Sequence, residues 1–139
     1  MEHSEEWRRR AKCHNTSIEA FKDSLSDDQP EVKAWAEEQR SGSEVFYPPR
    51  DHVLYTPVAY YAKAICNGKD FKAPCAVRIE CLLYALRNNE EHGIFGGMSH
   101  RERNALLRKW RRRRPNLDLQ ASDDSLRADA QRMVDERGK

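Results

Sequence analysis

The chain has 139 residues, and 35% of them are charged where about 25% is usual for a soluble domain; Lys+Arg 25 nearly balance Asp+Glu 23. Hydrophobic residues make up only 38% and mean hydropathy is −0.98, which implies one small domain with tails, short of core and expected to fold with help such as a bound metal. The longest uncharged run, His52 to Ala62, is far below the roughly 18 residues of a membrane span, and Glu2, Glu5 and Glu6 are unlike a signal or transit segment, so a cytoplasmic chain with no membrane partner is expected.

In chain order the periodicity predicts helices and no sheet, hence an all-α fold. Residues 17–25 put Ile18, Phe21 and Leu25 on one face. A second short helix starts at Pro30 and carries Val32, Trp35 and Ala36 until Ser41-Gly42-Ser43 breaks it. Val45-Phe46-Tyr47-Pro48-Pro49 reads as an aromatic pair followed by a proline turn, packed into the core unless a partner needs it exposed. Thr56-Pro57 is a cap and first-turn pair, after which Val58, Ala62, Ile65 and Cys66 share a face and deliver Cys66 at the helix end.

Pro74 opens the next predicted helix, with Val77, Cys81, Leu82 and Ala85 on one side and Asn88-Asn89 as the stop. Gly93-Ile94-Phe95-Gly96-Gly97 is a turn that uses backbone conformations closed to other residues. Phe95 at its tip is either a core plug or an anchor for a partner protein. Ser99 and Glu102 form a capping box that starts a basic helix over 99–114, ended by Pro115. Residues 123–136 form a separate amphipathic helix with Leu126, Ala130, Met133 and Val134 on one stripe.

Charge is unevenly spread. Between His100 and Pro115 eight basic residues face Glu102 alone, +7 in a chain of formal charge +2, which leaves −5 for the rest. That asymmetry points the basic helix at an anion, with nucleic acid first. Arg112-Arg113-Arg114-Pro115 resembles the core of an AT-hook with Arg113 in place of glycine.

The four cysteines follow C-x52-C-x8-C-x5-C. In a reducing compartment such thiols are metal-bound, catalytic or redox-active. Four thiolates suit either a structural zinc or a cubane iron–sulfur cluster, and the pattern leaves both open beside four unrelated core thiols. A thiol–disulfide enzyme is disfavoured by the lack of C-x2-C. His14, His52, His92 and His100 lie near the cysteine segments, where a surface imidazole is the plainer reading. No G-x-S-x-G, P-loop or H-E-x-x-H is present, so no small-molecule substrate is expected.

Taken together, Trp7, lone Cys13, Phe46-Tyr47-Pro48, the three grouped cysteines, Glu90-Glu91-His92-Gly93-Ile94-Phe95-Gly96-Gly97 and Arg101-Glu102-Arg103 resemble the WhiB-like family of bacterial transcription regulators. The stretch from Cys81 to Arg108 carries the resemblance most strongly. It implies a small helical domain over 1–114 stapled by a [4Fe–4S] cluster on Cys13, Cys66, Cys75 and Cys81, with insertions at about 14–44 and 67–74, and a tail over 115–139. It further implies a regulator responsive to oxygen or nitric oxide that docks on region four of the primary sigma factor of RNA polymerase, at the nucleoid. Trp7, Phe46, Tyr47, Pro48, Gly93, Phe95, Gly96 and Gly97 would then serve the sigma side, and Arg108, Lys109, Arg111, Arg112, Arg113 and Arg114 promoter DNA. A zinc-stapled DNA- or protein-binding module without redox sensing is the alternative. The chain departs from the family in the eight residues between Cys66 and Cys75, where two are usual, and in Phe95, where Trp is usual.

Overall fold

The computed structural model describes residues 16–68 and 74–137. Trp7, Cys13 and His14 lie outside the described residues. The fold is all-α: six α-helices and one 3₁₀ turn, with no strand among the described residues. In order these are α1 (Ile18–Ser24), α2 (Pro30–Glu37), the 3₁₀ turn (Gly42–Phe46), α3 (His52–Asn67), α4 (Arg78–Arg87), α5 (His100–Arg113) and α6 (Asp123–Arg137). No described helix is long and apolar enough to cross a membrane.

The first half closes on aromatic and aliphatic side chains. Ser17 caps α1, and Pro30 sits in the first turn of α2, as the sequence predicts for Pro30. Their inner faces bring Phe21, Val32 and Ala36 against Val45 and Phe46 of the 3₁₀ turn and Val58, Ala59, Ala62 and Ile65 of α3. Phe21 is the hub, meeting the Trp35 ring edge-on at 6.1 Å and the Tyr61 ring at 4.8 Å.

Helix α3 begins a turn earlier than predicted. The Asp51 carboxylate accepts from the Val53 N–H at 2.9 Å and caps the helix at His52, leaving Pro57 inside it. Pro57 removes one donor, that for the Val53 carbonyl, at a half-exposed position where water can reach it. Helix α4 instead starts later than Pro74 would set it. Pro74 to Val77 form a turn in which the Arg78 N–H donates to the Cys75 carbonyl, and the helix runs from Arg78. Cys75 therefore precedes α4 rather than riding on it.

The second half gathers Ile79, Leu82, Leu83 and Leu86 of α4, Leu106 and Trp110 of α5, and Leu126, Ala130, Met133 and Val134 of α6 into another core. Helix α6 is separate in sequence but not in space: its predicted apolar stripe is buried against α4 and α5. Arg87 fastens the connection, donating to the carbonyls of Leu119 and Ala121 at 2.6 and 2.8 Å and to the Asp123 carboxylate at 2.5 Å.

Candidate functional site

Three of the four cysteines lie on the segments that join the two halves. Cys66 lies one residue from the end of α3, Cys75 in the turn before α4, and Cys81 in the first turns of α4. The Cys75 N–H donates to the Cys66 carbonyl at 3.0 Å, so the chain on either side of 69–73 is drawn together despite the eight-residue spacing. Cys66 and Cys75 are buried and Cys81 half-buried, with Val77 and Tyr84 packed around the latter two.

That donor set is soft sulfur in an apolar shell, chemistry that suits an iron–sulfur cluster or zinc. Among the described residues no group of three or more His, Cys, Asp or Glu stands close enough to hold a single metal ion. Cys13, the expected fourth ligand, lies outside them.

The glycine turn is clasped by both halves. Phe95 and Met98 exchange backbone hydrogen bonds at 3.1 Å in each direction, with Gly96 at φ +61° and Gly97 at φ +78° between them. Two central residues with positive φ form the tight reversal that glycine adopts without strain. Their surroundings forbid side chains as well: a Cβ on Gly96 would lie 2.7 Å from the Leu82 Cβ, and one on Gly97 2.3 Å from the Asn67 Oδ1. Asn67, next to Cys66, donates to the Gly97 carbonyl at 3.3 Å and accepts from Arg78 at 3.2 Å. The cysteine region and the turn are thus held by the same two side chains.

The aromatic-proline segment adjoins the same turn. The Ile94 N–H donates to the Phe46 carbonyl at 2.6 Å. The Tyr47 ring stands edge-on to Phe95, centroids 6.0 Å apart, and Tyr84 lies tilted on its other contact at 6.1 Å. Phe46 and Phe95 are only 3% and 8% exposed, while Tyr47 is 57% exposed. Among the described aromatic residues expected at a sigma interface, Tyr47 is thus the one on display; Phe46 and Phe95 lie buried next to it, with Pro48 half-buried beside it.

Two charged residues of α5 organise this region. Arg103 is buried and donates to the carbonyls of Met98 and Glu90, each at 2.7 Å, and of Gly93 at 3.1 Å, with its guanidinium 5.3 Å from the Phe95 ring centre. Burial pulls its pKa down, opposed by Cys81 and Glu90 nearby. Glu102 completes the predicted capping box with Ser99, then reaches Lys63 of α3 at 2.8 Å and Arg137 of α6. Burial alone would raise its carboxyl, yet the Lys63 ammonium, the Ser99 N–H and Arg137 outweigh it and hold the pKa at about 2.

The basic helix divides into two sets. Lys109 and Arg113 pair with Glu136 of α6, and the Arg114 Nε lies 3.3 Å from the Asp129 carboxylate. Asp129 also accepts from the buried Trp110 indole N–H at 2.6 Å; burial pushes its pKa up, but Trp110 and Arg114 prevail and lower it. Arg101, Arg108, Arg111 and Arg112, exposed like the paired cations, make no ion pair among the described residues.

Among the described residues no histidine joins the thiols in a metal-binding group, and His14 lies outside them. His92 contacts the Arg50 guanidinium, His100 contacts the Glu90 carbonyl and Asn104, and His52 is exposed at the start of α3. Sequence reasoning passed over Asn67 and Arg103 as organisers of the turn. Arg103 had a signal: it stands with Leu106 and Trp110 at i, i+3, i+7, the one charge on the helix stripe that faces the core. Asn67 had none, since its role depends on a glycine thirty residues away.

Comparison with known proteins gives the family. The family model "Transcription factor WhiB" matches residues 32–106, just over half of the chain. The transcriptional regulator WhiB of Streptomyces coelicolor is 38% identical over 85 residues, covering 59% of this chain and 85% of that protein. Transcriptional regulator WhiB2 of Mycobacterium tuberculosis is 53% identical over 47 residues, 34% of this chain and 46% of the relative. Its compatriot WhiB1 is 42% identical over 62 residues, covering 42% of this chain and 74% of the relative. No solved structure matches. The relatives are named as regulators of transcription, not as enzymes.

Proposed function

The chain belongs to the WhiB family of transcription factors, and from that premise we propose that it is an iron–sulfur regulator that docks on region four of the primary sigma factor and touches promoter DNA. One observation carries the reading: the Phe46-Tyr47-Pro48 segment and the glycine turn, about fifty residues apart, are hydrogen-bonded into one surface that Asn67, next to Cys66, also binds. Cys66, Cys75 and Cys81, with Cys13, would hold the cluster. When bound, a [4Fe–4S] cluster supplies one-electron redox chemistry and reactivity toward oxygen and nitric oxide.

The chain's own side chains do the positioning. Asn67 and Arg78 lock the Gly97 carbonyl to the ends of α3 and α4, the two helices that carry Cys66 and Cys81. Arg103 supplies three N–H donor contacts to carbonyls of the turn and its approach, which keeps Phe95 under Tyr47. A change in spacing at the thiols is thereby coupled to the aromatic surface. In a chain poor in core, ligand binding at these thiols is also folding free energy.

Anaerobic purification with iron, sulfide and zinc counted per chain tests the cofactor. Four irons and four sulfides with a visible charge-transfer band that bleaches in air or nitric oxide are expected. One zinc and no iron would leave a structural module without redox sensing. For the partner, Tyr47→Ala should weaken binding to isolated sigma region four by about tenfold or more, as loss of an interface aromatic does. Unchanged affinity would remove this surface from the sigma contact.

A further inference from the structure

Helix α6 lies outside the matched residues 32–106, yet it meets the basic helix with carboxylates as well as apolar side chains. Its partners are not distributed at random around α5. Lys109 and Arg113 reach Glu136, and Arg114 reaches Asp129, so three of the eight cations between His100 and Pro115 are already paired. Arg103, a fourth, is buried on backbone carbonyls. The other four, Arg101, Arg108, Arg111 and Arg112, are exposed and make no ion pair or side-chain hydrogen bond among the described residues.

At 100° per residue Arg101, Arg108 and Arg112 fall within about 40° of one another, opposite Trp110 and Leu106, and Arg111 flanks them on the side away from Lys109. From Arg101 to Arg112 the stripe runs about 16 Å at the usual helical rise. That length exceeds the roughly 12 Å width of a major groove, so its ends can reach phosphates of both strands.

Resting on the reading that α5 contacts DNA, we infer that the phosphate-binding face is the stripe Arg101, Arg108, Arg111 and Arg112, and that α6 holds Lys109, Arg113 and Arg114 out of it. Glu136 and Asp129 act here as positioning residues: they touch no phosphate but decide which cations are available to one. The ligand is duplex backbone, read without base contacts by this face. Because the paired cations are only partly buried, the pairs are electrostatic competitors of DNA and not permanent locks.

The test is fluorescence anisotropy of the full chain with a labelled 20-base-pair duplex of mixed sequence, across a salt series. Wild type should show a log–log salt slope of about −3 to −4, the value for four phosphate contacts. Arg101→Gln and Arg108→Gln should each weaken binding about threefold to tenfold and reduce the slope by about one. Arg113→Gln should change affinity less than about twofold, and Glu136→Gln should tighten binding about threefold and steepen the slope by one to two as Lys109 and Arg113 are released. Circular dichroism melts of each variant check that α6 stays folded. If Arg113→Gln weakens binding as much as Arg108→Gln, or Glu136→Gln leaves the slope unchanged, the division by α6 is wrong while DNA contact stands. If the wild-type slope is near zero and no arginine matters, the DNA reading itself falls.

Discussion

The two halves of the molecule reach a buried core by different chemistry. Around Phe21 the first half closes with rings and aliphatic side chains, and its ion pairs, such as Lys33 with Asp27 and Lys22 with Glu37, lie on the outside. The second half uses charged groups as structural parts. Arg103 and Arg87 bind loop carbonyls, Arg127 reaches the buried Glu80, and Trp110 hydrogen-bonds the Asp129 carboxylate. A chain with 35% charged residues can fold because part of that charge replaces core in holding loops and α6 in place. The glycine turn and cysteines sit at the junction, so each half contributes to their geometry.

The comparison breaks most severely at Trp110, which is fully buried between α5 and α6. Trp110→Ala should cost about 3–5 kcal/mol in chemical denaturation, from lost burial and the cavity left behind. Hydrogen exchange should show α5 and α6 deprotected first, with α1 to α3 retaining more protection. Equal loss in both halves would mean that they form one cooperative unit.

Next comes Arg103. Arg103→Ala leaves the carbonyls of Met98, Glu90 and Gly93 without their donor, and about 2–4 kcal/mol of destabilisation is expected, each buried unsatisfied group costing about 1–3 kcal/mol with partial relief by water. Arg103→Lys restores charge without the planar fork and should recover less than half of it. Full recovery by Lys would show that charge, not geometry, holds the turn. Gly96→Ala follows at about 1–3 kcal/mol, combining the left-handed backbone with the close approach of Leu82, and is read by the same denaturation series.

How much of this was legible in the sequence depends on range. Local signals served well: Pro30 and the Ser99–Glu102 box mark real helix starts, and the apolar stripe of α6 lies where periodicity put it. Pro57 and Pro74 misled because a proline permits a helix start without compelling one. Asp51 offered a cap one turn before Pro57, while the Cys75 N–H was committed to Cys66. The candidate site was legible as a set of motifs but not as a surface. Nothing local joins Ile94 to Phe46 or Asn67 to Gly97, and nothing in the run from Arg111 to Arg114 says that carboxylates of α6 pair with Arg113 and Arg114 and not with Arg111 and Arg112.

The smallest effect separates the halves by pH. Glu102 and Asp129 both titrate below their ordinary values in the folded chain, Glu102 at about 2 against an ordinary 4.5. A carboxyl whose folded pKa is depressed contributes stability that is complete above its unfolded pKa and disappears as pH falls through the folded one. Between about pH 4.5 and 2 the fold should therefore lose the ties from Glu102 to Lys63 and Arg137, and the Asp129 tie to Arg114 fades at pH below the ordinary carboxylate range. Glu102→Gln removes the first of these at every pH, at a cost of about 1 kcal/mol since the pairs are partly exposed and the cap is only weakened. Its acid profile should be flatter than wild type over that window. As pH falls from about 4.5 toward 2, hydrogen exchange should show α5 and α6 losing protection ahead of the helices packed around Phe21, Trp35 and Tyr61.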